Sequence, residues 1–158
     1  MKFPVVTGSN LSGKRYTLPQ DFEGQYNLAI TVYQRYQQFN VDSWGPFIAR
    51  LAEKYPEFRY YELPTLPNYG WIQQSFIDGG MRGGITDKAV RARTITLYLD
   101  VKQFNAALNL PTIDSIYALL VDRQGEILFR ADGDYSTAKG EALAQTLADL
   151  LPTWPTMV

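Results

Sequence analysis

The residues best placed to do chemistry in this sequence lie in one polar segment, Gln34 to Ser43. It follows the apolar run Leu28 to Tyr33 and precedes a stretch with helical spacing. Open α/β sheets bind ligands at the carboxyl ends of their strands, so a strand, loop and helix in this order put the segment at the usual ligand position. The candidate binding residues in and beside it are Arg35, Tyr36, Gln38, Asp42, Ser43 and Trp44.

Two residue types that carry much of enzyme chemistry are missing from the chain. It contains 0 Cys and 0 His. Without thiols there is no disulfide, no thiol redox chemistry and no cysteine nucleophile, and without imidazole ordinary zinc sites and Ser-His-Asp triads are excluded as well. We therefore predict no catalytic residues, no metal site and no cofactor. The alternative is an enzyme that uses Asp42, Tyr36 and Arg35 after the first central strand.

The aromatic residues of the polar segment allow two interpretations. Tyr36, Phe39 and Trp44 could contact a partner, since large amphipathic side chains are favoured at protein interfaces. Alternatively, Phe39 and Trp44 fill the core beneath the loop while the glutamines are solvated, which is the usual fate of aromatic side chains.

A second candidate surface follows the glycine-rich segment Asp78 to Gly84. That segment lacks the spacing of a phosphate-binding loop and is typical of a flexible connector. Positive side chains in and after it are Arg82, Lys88, Arg91 and Arg93. With Asp87 as the opposing charge, Arg82, Arg91 and Arg93 could bind an anion or an acidic partner, or form a solvated charged face.

Composition limits the class of protein. The 158 residues, 46% apolar and 20% charged, suit a single domain over 1–158 with a full core. A formal net charge of -1 argues against nucleic-acid binding. No apolar run approaches the length of a transmembrane helix, and the amino terminus lacks the apolar run of a signal peptide, so we expect a cytoplasmic protein.

The first half of the chain predicts a hairpin and a parallel crossover. Phe3 to Thr7 and Arg15 to Leu18 form an amino-terminal hairpin within an extension over 1–26. Leu28 to Tyr33 reads as a strand buried on both faces. A helix capped by Asp42 or Ser43 runs to about Tyr55, and its return strand ends before Pro64. Both the helix and the strand Phe58 to Leu63 follow from apolar spacing.

The second half predicts alternating helices and strands. A helix from Tyr69 ends at Gly79 and Gly80, and Thr86 or Asp87 caps a short helical turn. The remaining predicted elements are a strand Thr94 to Leu99, a short helix Phe104 to Leu108, a hairpin of Ile116 to Val121 with Glu126 to Arg130, and a helix Ser136 to Leu151. The apolar tail 152–158 either docks on its own domain or pairs with another subunit.

The order of these elements and several short segments resemble the thioredoxin-like fold of the peroxiredoxin type. The segments are Phe3-Pro4, Leu11 to Lys14, Leu18 to Gly24, Thr96 to Asp100 and Leu119 to Ile127. The resemblance implies an α/β fold with a central mixed sheet flanked by helices and an N-terminal β-hairpin. It also places active thiols within Gln34 to Trp44, where this chain has none, and a cis-proline near Ile116, where there is no proline.

A further resemblance concerns the mitochondrial ATP synthase assembly factor family, which assists the membrane-embedded Fo subunit. The matching segments are Phe3-Pro4, Arg35 to Gln38, Ser43-Trp44, Met81-Arg82, and Leu120 to Asp122 with Gly125 and Ile127. Leu128-Phe129 replaces a tryptophan expected after the hairpin's isoleucine. Together these observations predict a non-redox binding or assembly module whose partner is another protein, with a homodimer as a further possibility.

Overall fold

Residues 1–152, which the computed structural model describes without the side chains of residues 71 and 72, form a seven-stranded mixed sheet. The strand order is β2-β1-β5-β4-β3-β6-β7. The strands are β1 (Val6–Asn10), β2 (Arg15–Leu18), β3 (Tyr26–Val32), β4 (Phe58–Leu66), β5 (Ile95–Tyr98), β6 (Tyr117–Asp122) and β7 (Ile127–Asp132). β4 pairs in parallel with β3 and β5, and the other pairs are antiparallel. The predicted hairpins and the parallel crossover are confirmed, and the first hairpin forms one edge of the sheet.

The described chain also contains five helices and one 3-10 turn, of which the last helix follows β7. They are a turn at Arg35–Gln37, α1 (Gln38–Lys54), α2 (Trp71–Gly84), α3 (Lys88–Arg93), α4 (Val101–Ala107) and α5 (Thr137–Leu150). Asp87 caps α3 by accepting the backbone N–H groups of Ala89 and Val90 at 2.8 and 3.2 Å. Ser136 caps α5. Among residues 1–152 no helix has the length and apolar character needed to cross a membrane. The tail from residue 153 onward lies outside the described residues.

The sheet separates two hydrophobic cores, and β3 contributes to both. Leu28, Ile30 and Val32 pack with the inner faces of α1 and α5. Ala29 belongs to the opposite core, which contains Phe104 of α4. The prediction that this strand is buried on both faces is therefore correct, and it makes β3 the element from which the following turn is positioned.

Several predicted boundaries were wrong. β1 begins at Val6 and not at Phe3, and α4 begins at Val101 and not at Phe104. The helix after β3 begins at Gln38 and not at Asp42 or Ser43, because side-chain hydrogen bonds of Gln37 hold the turn before it. Pro46 therefore lies inside α1. β4 does not end before Pro64. Its pairing with β3 ends at Pro64, and the strand then continues because Thr65 pairs with β5.

Two glycines predicted to end a helix lie within α2. Gly79 and Gly80 are both exposed, and a Cβ built on either would meet no atom within 4 Å. The helix continues to Gly84. Glycine lowers helix stability without blocking helical backbone, so these residues weaken α2 without ending it.

The two aromatic residues that could have filled the core, Phe39 and Trp44, differ in burial. Trp44 is fully buried on the inner face of α1, where its Nε1 donates to the Gly133 carbonyl at 2.9 Å and its ring lies edge to face with Tyr135 at 5.6 Å. Phe39 is 85% exposed. The core interpretation therefore holds for Trp44 and fails for Phe39.

Replacing Trp44 with alanine should lower the free energy of unfolding by about 3–5 kcal/mol, because a large buried side chain leaves a cavity. Phe39→Ala is the matched control and should change stability by less than about 0.5 kcal/mol. Urea unfolding followed by circular dichroism measures both. Equal effects of the two substitutions would contradict this placement.

Candidate functional site

The first candidate site is the turn at the carboxyl end of β3, from Tyr33 to Gln38. Here the chain leaves the sheet, makes the 3-10 turn and enters α1 without an intervening loop. The turn faces the segment that precedes β6, around Ile113. The sequence predicted a ligand site at this carboxyl end of the first central strand.

Gln37 is completely buried and fastens the turn. Its Oε1 accepts the backbone N–H groups of Tyr33 at 2.8 Å and Gln34 at 3.2 Å. Its Nε2 donates to the carbonyl of Ile113 at 2.7 Å. One amide side chain therefore joins the end of β3, the start of α1 and the segment before β6. The expectation that the glutamines of this segment are solvated was wrong for Gln37.

Tyr33 lies beneath this turn in a buried polar group. Its hydroxyl is 3.0 Å from both Thr31 Oγ1 and Asn105 Oδ1. Burial raises the pKa of Tyr33 to about 12, although the hydrogen bonds to Thr31 and Asn105 oppose the shift. Tyr33 therefore remains protonated at neutral pH and acts as a hydrogen-bond donor that fills the space under the turn.

Three exposed apolar residues lie in this turn, at the start of α1 and in the segment bonded to the turn: Tyr36, Phe39 and Ile113. We call them the tip surface. Their exposed fractions are 59%, 85% and 46%. Tyr36 and Phe39 are three residues apart in helical backbone and so lie on neighbouring positions of one side. The Ile113 carbonyl is the acceptor of Gln37, which places the third residue against the same turn. Arg35, also exposed, adds a positive charge beside them.

A second candidate site is a cleft of about 690 Å³ between α1 and the start of α3, with β4 as its floor. Its polar lining includes Gln38 and Asp42 of α1, Glu62 of β4, and Asp87 and Arg93. The cleft brings together three predicted residues, Gln38, Asp42 and Arg93. Arg35 and Tyr36 are not among its lining residues, so the three residues of the proposed enzyme alternative do not share this cleft.

Glu62 is the titratable group at the floor of the cleft. Burial raises the pKa of its carboxyl, and the negative charge of Asp42 raises the pKa further. The amide of Gln38, by hydrogen bonding, and the positive charge of Arg93 oppose this rise. Arg93 places its guanidinium 4.5 Å from the centre of the Tyr60 ring. A carboxyl held in this way can attract a cation or share a proton.

Among the remaining predicted binding residues, Ser43 and Arg91 have structural partners. Ser43 Oγ donates to the Asn40 carbonyl at 2.6 Å and accepts the Tyr135 N–H at 2.9 Å. The guanidinium of Arg91 donates to the carbonyls of Ile85 and Arg82. Arg82 itself is exposed. The predicted positive patch is therefore divided, because Arg91 holds the α2–α3 connection and Arg93 faces the cleft.

Sequence reasoning missed Gln37 and Glu62. Glu62 had a signal, since it alternates with Tyr61 and Leu63 of the opposite core and so had to lie on the face that α1 covers. Gln37 had none, since it stands among several glutamines of one segment. Within the described part of the chain, no three Asp or Glu side chains are grouped so that they could hold a metal ion.

Solved structures show where this arrangement of strands and helices is also found. The exposed lipoprotein thioredoxin of Streptococcus pneumoniae has a TM-score of 0.58 and 14% identity, over 92% of this chain and 99% of that chain. A thiol:disulfide interchange protein from a Bacteroides species has a TM-score of 0.56 and 16% identity, over 98% and 91%. The thioredoxin domain of a thiol-disulfide oxidoreductase from Bacteroides vulgatus has a TM-score of 0.54 and 14% identity, over 93% and 95%.

These similarities establish a thioredoxin-like fold for a chain without cysteine. Neither a protein-family model nor a curated protein sequence matches the chain. The similar structures give no support to the peroxiredoxin-type arrangement or to the ATP synthase assembly factor family.

Substituting Gln37 with leucine should lower the free energy of unfolding by about 1–3 kcal/mol, because buried N–H and carbonyl groups at Tyr33 and Ile113 lose their partner. Gln38→Leu, at the exposed neighbouring position, is the matched control. Chemical denaturation measures both. A Gln37→Leu protein as stable as the control would show that water replaces the amide without cost.

The raised pKa of Glu62 predicts a specific pH dependence of stability. As pH rises above the ordinary value of 4.5, the unfolded chain loses this proton before the folded protein does, so folding stability falls through that interval. Glu62→Gln removes the effect and should stabilise the protein at pH 8 more than at pH 4. Urea unfolding at both pH values, with the exposed Glu141→Gln as control, measures the difference. An advantage of Glu62→Gln that is independent of pH would contradict the shift.

Proposed function

We propose that this protein is a non-redox binding module of thioredoxin-like fold that holds an extended apolar segment of another protein against the tip surface. The carrying observation is the exposure of Tyr36, Phe39 and Ile113 together at the carboxyl end of β3. Exposed apolar side chains that adjoin one another mark interaction surfaces more often than scattered ones do.

The chemistry of the turn supports binding without catalysis. The solved structures of similar fold are named as thioredoxins and thiol:disulfide proteins, whose reaction requires thiols. The segment that the resemblance matches to the thiol site contains no cysteine here, and its buried position is filled by Gln37. An amide with its acceptor and donor both engaged stabilises the turn and offers no nucleophile.

The form of the tip surface supports a protein segment as ligand. Phe39, at 85% exposed, is not among the lining residues of the cleft, so it suits an apolar side chain of a partner better than a small metabolite. Arg35 at the margin favours a segment that also carries acidic residues.

Several narrower expectations remain proposals. We also propose an assembly role, a homodimer through the tail 152–158, a single domain over 1–158 and a cytoplasmic location. The observations that support the binding module do not bear on these four. One of the structures of similar fold is described as an exposed lipoprotein, so fold alone does not favour the cytoplasm.

The double substitution Tyr36→Ala and Phe39→Ala should weaken binding of an unfolded protein at least about tenfold, since aromatic anchors carry most of the energy of an interface. Fluorescence anisotropy with labelled, reduced and carboxymethylated α-lactalbumin measures the affinity. Phe76→Ala is the matched control, because Phe76 on α2 is also 85% exposed.

Two results would contradict the proposal. One is the absence of binding by the parent protein at concentrations where unfolded-protein carriers bind. The other is an equal loss of affinity in the Phe76→Ala control, which would show general hydrophobic adhesion with no role for the tip surface.

A further inference from the structure

The floor of the cleft is polar where the sheet would ordinarily present apolar residues. Tyr60 and Glu62 alternate with the core residues Tyr61 and Leu63, so they project toward α1 and α3. Thr94, which precedes β5 and forms an isolated parallel bridge with Glu62, extends the same polar strip. A covered sheet face that carries a carboxyl and a hydroxyl lowers stability unless these groups have partners.

Charge in the cleft is predominantly negative. Three carboxylates, those of Asp42, Glu62 and Asp87, line it together with one guanidinium, that of Arg93, which leaves a formal excess of two negative charges. Arg93 stacks on Tyr60, and among the described residues no ion pair joins it to Glu62. The negative charge at the floor is therefore only partly compensated by the protein itself.

The rest of the lining is largely apolar. It includes Ile30 of β3, Val41 and Ile48 of α1, Ile85 of the α2–α3 connection and Val90 of α3. Hydrocarbon walls around a few convergent polar groups are the usual composition of a small-molecule site, and the volume of about 690 Å³ lies in the usual range of such sites.

We propose that this cleft binds a small organic cation, a protonated primary amine carried on an aromatic or aliphatic frame. The ammonium lies against the carboxylates of Glu62 and Asp42, and the frame lies between α1 and the Ile85 to Val90 wall. Gln38 supports the site, since its Nε2 donates to Asp42 Oδ1 at 2.9 Å and so orients that carboxylate. The site is separate from the tip surface and does not depend on the proposed protein binding.

The electrostatics of Glu62 agree with this occupant. The same burial that raises the pKa of its carboxyl makes an ammonium a favourable neighbour, because a partner of opposite charge offsets the cost of keeping the carboxylate buried. Asp87 contributes less, since its Oδ1 already accepts two backbone N–H groups of α3.

Three probes of similar frame test the charge requirement on the full chain: phenethylamine, 2-phenylethanol and 3-phenylpropionate. Amide chemical shifts in two-dimensional NMR locate the site, and their titration gives the affinity. We expect phenethylamine to shift residues of α1, β4 and α3 and to bind at least about tenfold more tightly than the neutral alcohol, with no binding of the anion. Equal binding of amine and alcohol, or shifts confined to other surfaces, would overturn the proposal.

Two isosteric substitutions test the residues. Glu62→Gln should weaken phenethylamine binding about tenfold, and Asp42→Asn should weaken it severalfold. Glu141→Gln on the exposed face of α5 and Phe39→Ala at the tip surface are controls that should leave it unchanged. If Glu62→Gln does not fold, Asp42→Asn decides, because this residue is exposed and its substitution does not disturb the core. Unchanged affinity in Asp42→Asn together with unchanged affinity in any folded Glu62→Gln protein would refute the assignment.

Discussion

The buried amide of Gln37 is the interaction on which the rest of the site depends. With three hydrogen bonds it joins the end of β3, the start of α1 and the segment before β6. β3 is fixed by cores on both faces, and the amide bonds the turn to the end of this strand. The turn therefore has a defined conformation. A buried amide left without these partners would destabilise the fold, so the turn and the amide require each other.

The hydrogen bonds of Gln37 also determine which side chains of the turn are exposed to solvent. With its polar backbone groups satisfied from within, the turn can direct Tyr36 and Phe39 outward, where no described residue covers them. A turn held in this way can present apolar side chains with little loss of conformational entropy on binding, which is what a rigid interface requires. This turn therefore combines a backbone held by a buried amide with exposed apolar side chains.

The fold could be predicted from the sequence more completely than the site. Apolar runs such as Leu28 to Tyr33 and the turn of Asp122 to Gly125 determine strands and hairpins through local spacing, and the structure confirms both. The start of α1 could not be predicted in this way. Its onset at Gln38 depends on a long-range bond from Gln37 to Ile113, 76 residues away, and three glutamines of one segment give no local signal of which one is buried.

Which of the three glutamines is buried determines the arrangement of both candidate surfaces. Successive residues of a helix differ by about 100° in direction, so Gln37 points inward, Gln38 toward the cleft and Phe39 toward solvent. Beginning the helix at Asp42 or Ser43 would have left all three in one loop with one presumed role. α1 is instead a wall shared by two surfaces of different chemistry, one apolar and one acidic. Trp44 fixes this wall to the loop after β7 through its hydrogen bond to the Gly133 carbonyl and its ring contact with Tyr135.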